Sequence, residues 1–279
     1  MDAAVVDERE KVEQGRARLV HQQQGMFGLV VVTEDDSGLR TLRFGVGGPR
    51  QSVLRPGFPR ELVLAYTRAA MLALALVPNP RRILVVGLGG GSLPMFLRSI
   101  FPLVHIDAVD IDPVVIEVAR RFLDFRDDPS LVVHLGDGQR FVDGVQQAYD
   151  LIFLDAYGSD AAPAHLTTRN FLAAVRKANH PAGLVVSNLW GPSMNPGFGS
   201  ILRSYREVFN DLYLMELPGV ENRILLASAR ARFLQSADLA RLARSTSQRL
   251  GLPFDLGAIV EAGFRTPDPL RDHDTVPRD

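Results

Sequence analysis

Residues 83–92, Ile-Leu-Val-Val-Gly-Leu-Gly-Gly-Gly-Ser, constrain the fold of this chain more than any other stretch. Four apolar residues running straight into a glycine cluster read as a buried strand that turns sharply into a helix. A second apolar stretch follows and ends in Asp110. A buried strand, a glycine turn and an acid at the end of the next strand describe a pocket for an adenosine-type ligand. They name a ligand class and leave the reaction open.

From Arg81 onward strands and helices alternate. Strands are predicted at Ile83–Val86, Ile106–Asp110, Leu131–Leu135, Leu151–Asp155 and Leu184–Asn188. Helices are predicted at Leu93–Ile100, Pro113–Phe122, Gln139–Gln146, Arg169–Asn179 and Gly199–Phe209, with Pro113 at the tolerated first position. This βαβα rhythm implies an α/β fold with a doubly wound, mostly parallel sheet. The last two strands, Leu212–Glu216 and Arg223–Ala227, are too close in sequence for a parallel crossover. They should pair antiparallel, as in the class I methyltransferase-like fold. Before this region, Phe27–Glu34 and Leu39–Gly45 flank Asp-Asp-Ser-Gly and predict a hairpin. Residues 45–59 are rich in Gly and Pro and are expected to be irregular, and Glu61–Val77 is expected as one buried helix. The expected organisation is an N-terminal arm (1–22), a small β element (23–59), a methyltransferase-like Rossmann domain (60–230), and a C-terminal helix at Ala237–Leu250 with a loose tail (231–279).

Composition narrows the function classes. The net charge of −1 over 279 residues gives no basic excess for a nucleic-acid partner. No apolar stretch approaches the length of a membrane span, and the charged N-terminus lacks the core of a signal peptide. Cysteine is absent, which removes thiolate chemistry and fits a cytoplasmic location. The six histidines show no metal spacing, so no metal is expected.

The candidate site residues sit at predicted strand ends. Gly87, Gly89, Gly90 and Gly91 would let the backbone approach a ligand without Cβ interference. Asp110, with Ile111 beside it, is placed to accept both ribose hydroxyls. Asp112, before Pro113, is better read as a helix N-cap. In Gly136-Asp137-Gly138 the acid either receives an exocyclic adenine amine or caps the next helix. Asp155 ends the fourth strand and faces the expected reaction centre, and Asp160 lies on the loop beyond it. His165 reads as a structural loop residue, and Thr167 and Thr168 as caps of the following helix. Tyr66 and Trp190 are single aromatics near the predicted mouth.

These residues resemble the spermidine synthase family of polyamine aminopropyltransferases, from about Met26 to Ala227. Ile83–Ser92 is similar to its glycine turn, Val109–Ile116 to its ribose segment, Gly136–Gly138 to its adenine-contacting turn, and Asp155–Thr168 to its gatekeeping loop in a bacterial spermidine synthase-like branch. The resemblance implies decarboxylated S-adenosylmethionine as co-substrate, an amine acceptor contacted by Tyr66 and Tyr157, and a possible homodimer. It gives Asp155 the task of orienting the amine. The departures are informative. Gly90 and Gly158 stand where the family carries acids, and Phe27 stands for a family glutamine. Loss of the acid at Gly90 removes a charge that would repel the carboxylate of ordinary S-adenosylmethionine. With Gly158 in place of the family base, Asp160 is the candidate base. Aminopropyl transfer to a diamine such as putrescine is therefore the leading expectation. Methyl transfer from S-adenosylmethionine is the alternative, ahead of a catalytically reduced nucleoside- or polyamine-binding protein. A nicotinamide dehydrogenase is disfavoured by the acid at Asp137 and the closing antiparallel pair.

Overall fold

The computed structural model describes residues 17–156, 163–232, 234–268 and 272. Two sheets organise them. Strands β1 (Ala17–Gly25), β2 (Gly28–Asp35), β3 (Arg40–Phe44) and β4 (Arg50–Leu54) form an antiparallel sheet in chain order. The expected hairpin is β2–β3. Asp35 Oδ1 accepts the N–H groups of Ser37 and Leu39 at 2.9 and 3.0 Å and fixes its turn.

Two strands of this sheet differ from expectation. Residues 17–22, expected in an arm, belong to β1. Its polar side chains conceal the strand, because among the described residues it is an edge paired with β2 alone and all of its residues are half-buried or exposed. Residues 50–54, expected to be irregular, form β4, where pairing with β3 buries Ser52, Val53 and Leu54.

Residues 61–77 also differ. The expected single helix is two short ones, α1 (Ala65–Ala70) and α2 (Ala73–Leu76), joined by a turn at Met71 and Leu72. The N–H groups of Leu74 and Ala75 bond the carbonyls of Met71 and Leu72, each at 3.0 Å, which is 3₁₀ spacing. Residues 69–75 are all buried, so apolar pattern carries no information about where the axis turns.

The second sheet comprises β5 (Arg82–Val86), β6 (His105–Asp110), β7 (Leu131–Leu135), β8 (Tyr149–Leu154), β9 (Asn179–Trp190), β10 (Asp211–Glu216), β11 (Asn222–Ser228) and β12 (Phe264–Arg265), in spatial order 12-10-11-9-8-5-6-7. Strands β7, β6, β5, β8 and β9 are parallel, and β11 inserts antiparallel between β9 and β10. The fold is thus the expected α/β, class I methyltransferase-like one.

Strand periodicity divides the core. On β5, Ile83 and Val85 pack to one side with α1, α2, α3 (Ser92–Ile100), α8 (Ser236–Leu250) and α9 (Leu256–Gly263). Leu84 packs to the other side with α5 (Gly138–Asp143), α6 (Arg169–Ala178) and α7 (Phe198–Val208). Residues of α4 (Pro113–Phe122) also pack beneath the small sheet, where Val115 and Val118 meet Val30, Val32 and Leu42. Met26 N–H donates to Asp112 Oδ2 at 2.7 Å and joins the β1–β2 turn to the end of β6.

The described part of the expected loose tail is anchored. Arg265, on β12, donates to Glu216 Oε1 at 2.8 Å and pairs with Asp272, which is buried. The short α9–β12 unit lacks a strong sequence signal because β12 holds two residues.

Candidate active site

The strand ends and the small sheet enclose a cavity of about 980 Å³. Its position beyond the carboxyl ends of parallel strands is where open α/β sheets bind ligands. Gly87, Gly89, Asp110, Ile111, Asp137, Gly138, Tyr66 and Asp155 all line it. Tyr157, Gly158 and Asp160 lie outside the described residues.

The glycine turn serves two masters. Gly87, Gly89 and Gly91 take φ of +94°, +52° and +76°, values that favour glycine. At Gly87 a Cβ would come within 2.4 Å of the Asp155 carbonyl oxygen, so packing of β5 against β8 forbids a side chain there. Gly90 and Gly91 do not line the main cavity. A Cβ at Gly90 would meet Ser52 Cβ at 2.8 Å and Leu123 Cδ1 at 3.1 Å, and at Gly91 it would strike the Phe125 ring at 2.3 Å. Gly90 N–H donates to Ser52 Oγ at 2.8 Å. The expectation that Gly90 opens room beside the ligand is therefore corrected: Ser52 of β4 and Leu123, which follows α4, take that space. Gly90→Asp should accordingly destabilise the fold by about 1–3 kcal/mol, the usual cost of overpacking. A urea-denaturation midpoint unchanged from the parent would contradict this.

Asp110 stands at the centre of the turn. Its Oδ2 accepts Leu88 N–H at 2.8 Å and its Oδ1 accepts Asp112 N–H at 3.0 Å. Burial pushes its pKa up, and these backbone donors act against that rise. A carboxylate has about four acceptor positions, so the backbone bonds from Leu88 and Asp112, with Gly89 N–H beside them, still leave capacity for a hydroxyl donor. Asp112 has the expected capping role: its Oδ1 accepts Val114 N–H at 2.9 Å.

Asp137 also caps its helix, accepting Arg140 N–H at 3.0 Å. Its second oxygen lies 2.9 Å from His165 Nε2. Its pKa lies below the usual value: the Arg140 N–H and His165 hydrogen bonds outweigh partial burial. His165 thus ties the 3₁₀ turn Ala164–Thr167 to this corner, in keeping with a structural role. Thr168 caps α6 through Phe171 N–H, whereas Thr167 bonds the Ala164 carbonyl and caps nothing.

Asp155 is set into the cavity wall. Tyr66 Oη donates to its Oδ2 at 3.2 Å and Asn188 Nδ2 donates to its Oδ1 at 2.8 Å. Desolvation pushes its pKa up to about 7, even though both donors favour the charged form. A carboxylate with that pKa exchanges a proton near neutral pH, which suits general acid–base work.

The cavity also holds Arg50, Gln51 and Ser52 from β4, Asn188 two residues before the end of β9, and Glu221 and Asn222 before and on β11. Sequence reasoning did not single these out. Asn188 had a usable signal, since it ends a predicted strand by the same rule that selects Asp110 and Asp155. The β4 residues had none, because that strand was not expected. Among the described residues, no group of three or more His, Asp or Glu is arranged to hold a metal ion. Among the described residues, no helix is long and apolar enough to cross a membrane.

Comparison with known proteins adds independent observations. A model of the spermine/spermidine synthase domain matches residues 65–219. A polyamine aminopropyltransferase of Vibrio vulnificus is 33% identical over 220 residues, covering 76% of this chain and 73% of that one. A probable spermidine synthase from Corynebacterium glutamicum superposes with a TM-score of 0.73 at 19% identity, over 90% of this chain and 97% of that one. Human methyltransferase-like protein 13, solved in complex with SAH, superposes with a TM-score of 0.61 at 30% identity, over 68% of this chain and 94% of that one.

Proposed function

Because this chain belongs to the spermine/spermidine synthase family, we propose that it transfers an aminopropyl group from decarboxylated S-adenosylmethionine to a diamine such as putrescine. The observation that carries this reading is the placement of Asp155. A half-buried acid with a pKa of about 7 shares one cavity with a nucleoside-type wall of Gly87, Gly89 and Asp110.

In this reading Asp110 and Ile111 hold the ribose, and Asp137 and Gly138 border the adenine. Tyr66 and Asp155 hold the incoming amine, with Tyr157 and Asp160 as further contacts from the adjoining loop. A free alkyl amine is mostly protonated at neutral pH, since its pKa is about 10. Asp160, the base expected from the sequence, lies outside the described residues, and in this reading Asp155 takes both tasks: it attracts the ammonium and accepts its proton. The freed nitrogen then attacks the carbon next to the sulfonium. The C–N bond forms as the C–S bond breaks, and its electron pair leaves with sulfur as the thioether of 5′-methylthioadenosine. Positioning the two reactants in line supplies much of the rate. A cytoplasmic location, small-molecule rather than nucleic-acid or membrane partners, and a homodimer belong to the same proposal.

Methyl transfer from ordinary S-adenosylmethionine is the second reading. Arg50 lines the cavity, and its cation would attract the carboxylate that the decarboxylated form lacks. Calorimetry with the two forms separates the readings. The decarboxylated form is expected to bind the tighter, and 5′-methylthioadenosine should appear with putrescine. If ordinary S-adenosylmethionine binds at least about tenfold tighter, a difference of about 1.4 kcal/mol, the aminopropyl reading fails.

A further inference from the structure

We propose that Asn222 is a positioning residue for Asp155, acting through Asn188. This rests on the reading of Asp155 as the acid that receives the amine proton. Two amides form a directed chain. Asn222 Nδ2 donates to Asn188 Oδ1 at 2.9 Å, and Asn188 Nδ2 donates to Asp155 Oδ1 at 2.8 Å. The β9–β11 register produces it. Asn222 lies opposite Trp190 and Ile224 opposite Asn188, so Asn222 and Asn188 are diagonal neighbours on one face of the sheet.

The two ends of an asparagine amide have nearly the same shape, and the surrounding hydrogen bonds choose which end points where. A donor from Asn222 pins the Asn188 oxygen on the β11 side. The Asn188 nitrogen must then face Asp155, and an N–H facing a carboxyl group favours the ionised form. Turned the other way, Asn188 would aim its oxygen at Asp155, an arrangement that favours a protonated carboxyl. Asn222 thus holds Asp155 ready to accept a proton, against the desolvation that favours its neutral form.

Tyr66 and Asn188 touch the carboxylate. Among the described residues, the other ionisable groups on the cavity wall are Arg50 on β4, Asp110 at the end of β6 and Asp112 after it, Asp137 and His165 beside α5, and Glu221 before β11. Asn222 is on the antiparallel strand and makes no bond to the glycine turn or Asp110, so its replacement leaves the nucleoside wall in place.

The test uses the full chain, with decarboxylated S-adenosylmethionine and putrescine as substrates. Two quantities are read against pH: kcat/KM for putrescine, and the Asp155 carboxyl carbon signal in protein labelled at aspartate, assigned by its loss in Asp155→Asn. Asn222→Leu removes the donor without adding charge. Asn222→Asp supplies only acceptors and should draw the Asn188 nitrogen away from Asp155. The midpoint is expected to rise in Asn222→Leu and to rise further, by about one pH unit or more, in Asn222→Asp. The charge of Asn222→Asp also raises the midpoint by itself, so Asn222→Leu decides: a midpoint that stays at the parent value in Asn222→Leu overturns the proposal. The carbon signal titrates whether or not aminopropyl transfer occurs, so the two readings fail separately. A parent enzyme that makes 5′-methylthioadenosine while the variants titrate unchanged leaves the activity standing and removes the role of Asn222.

Discussion

Replacing Asp155 by asparagine should lower kcat/KM for the amine by about 10²- to 10⁴-fold, the usual contribution of a positioned acid or base. Asparagine keeps the shape of the side chain but cannot accept the proton. Affinity for 5′-methylthioadenosine should stay near the parent value, because the nucleoside wall is untouched. In the parent, the ionised form is the working one, and its pKa is about 7. Activity should therefore be full above pH 7 and fall about tenfold for each pH unit below it. The stability effect has the opposite sense. A carboxyl whose folded pKa is raised binds its proton more tightly when folded, so its contribution to stability is lost as pH rises from about 4 through about 7. Asp155→Asn should thus gain thermal stability over the parent at pH 8, and less at pH 5. Parent-like kcat/KM at pH 8 in the variant would remove Asp155 from the mechanism.

Asp110→Ala should weaken binding of 5′-methylthioadenosine by up to about 10²-fold. A hydrogen bond from a ribose hydroxyl to a charged group is worth about 1.5–3 kcal/mol. The substitution also frees the N–H groups of Leu88 and Asp112, which the carboxylate now holds. The turn at Leu88 loosens with it, and folding stability should drop as well. Asp110→Asn separates the two effects. It keeps an oxygen for one backbone donor but loses the charge, so binding should suffer more than stability. Calorimetric affinity unchanged in Asp110→Ala would show that the ribose lies elsewhere.

Much of this site was legible in the sequence because its residues terminate strands. Gly87, Asp110, Asp137 and Asp155 each follow an apolar run, and the parallel topology brings such ends together. Asn188 obeys the same rule and was passed over because an amide is a less distinctive signal than an acid. Arg50, Gln51 and Ser52 were hidden for another reason. Their strand is short, follows Pro49, and gains its regular form from pairing with β3 rather than from its own pattern. Gly90 shows the limit of reading space from a glycine. Missing side-chain volume was assigned to the ligand, whereas Ser52 and Leu123 occupy it. Only the folded arrangement reveals which side of a turn a Cβ would face. The break between α1 and α2 was illegible for a similar reason, since burial on every side erases the periodicity from which an axis is read.

The small sheet does more than cover the large one. Its strand β4 carries Arg50, Gln51 and Ser52 to the cavity, while Asp110 ends parallel strand β6 and Asp137 follows parallel strand β7. The two halves of the wall are thus encoded in separate stretches of the gene. Substitutions at residues 50 and 51 would alter one half of this wall and leave the strand ends at residues 87–138 as they are, whereas a change at Ser52 would reach the glycine turn through Gly90. One half of the cavity can thus change by substitution in two neighbouring codons without disturbing the other.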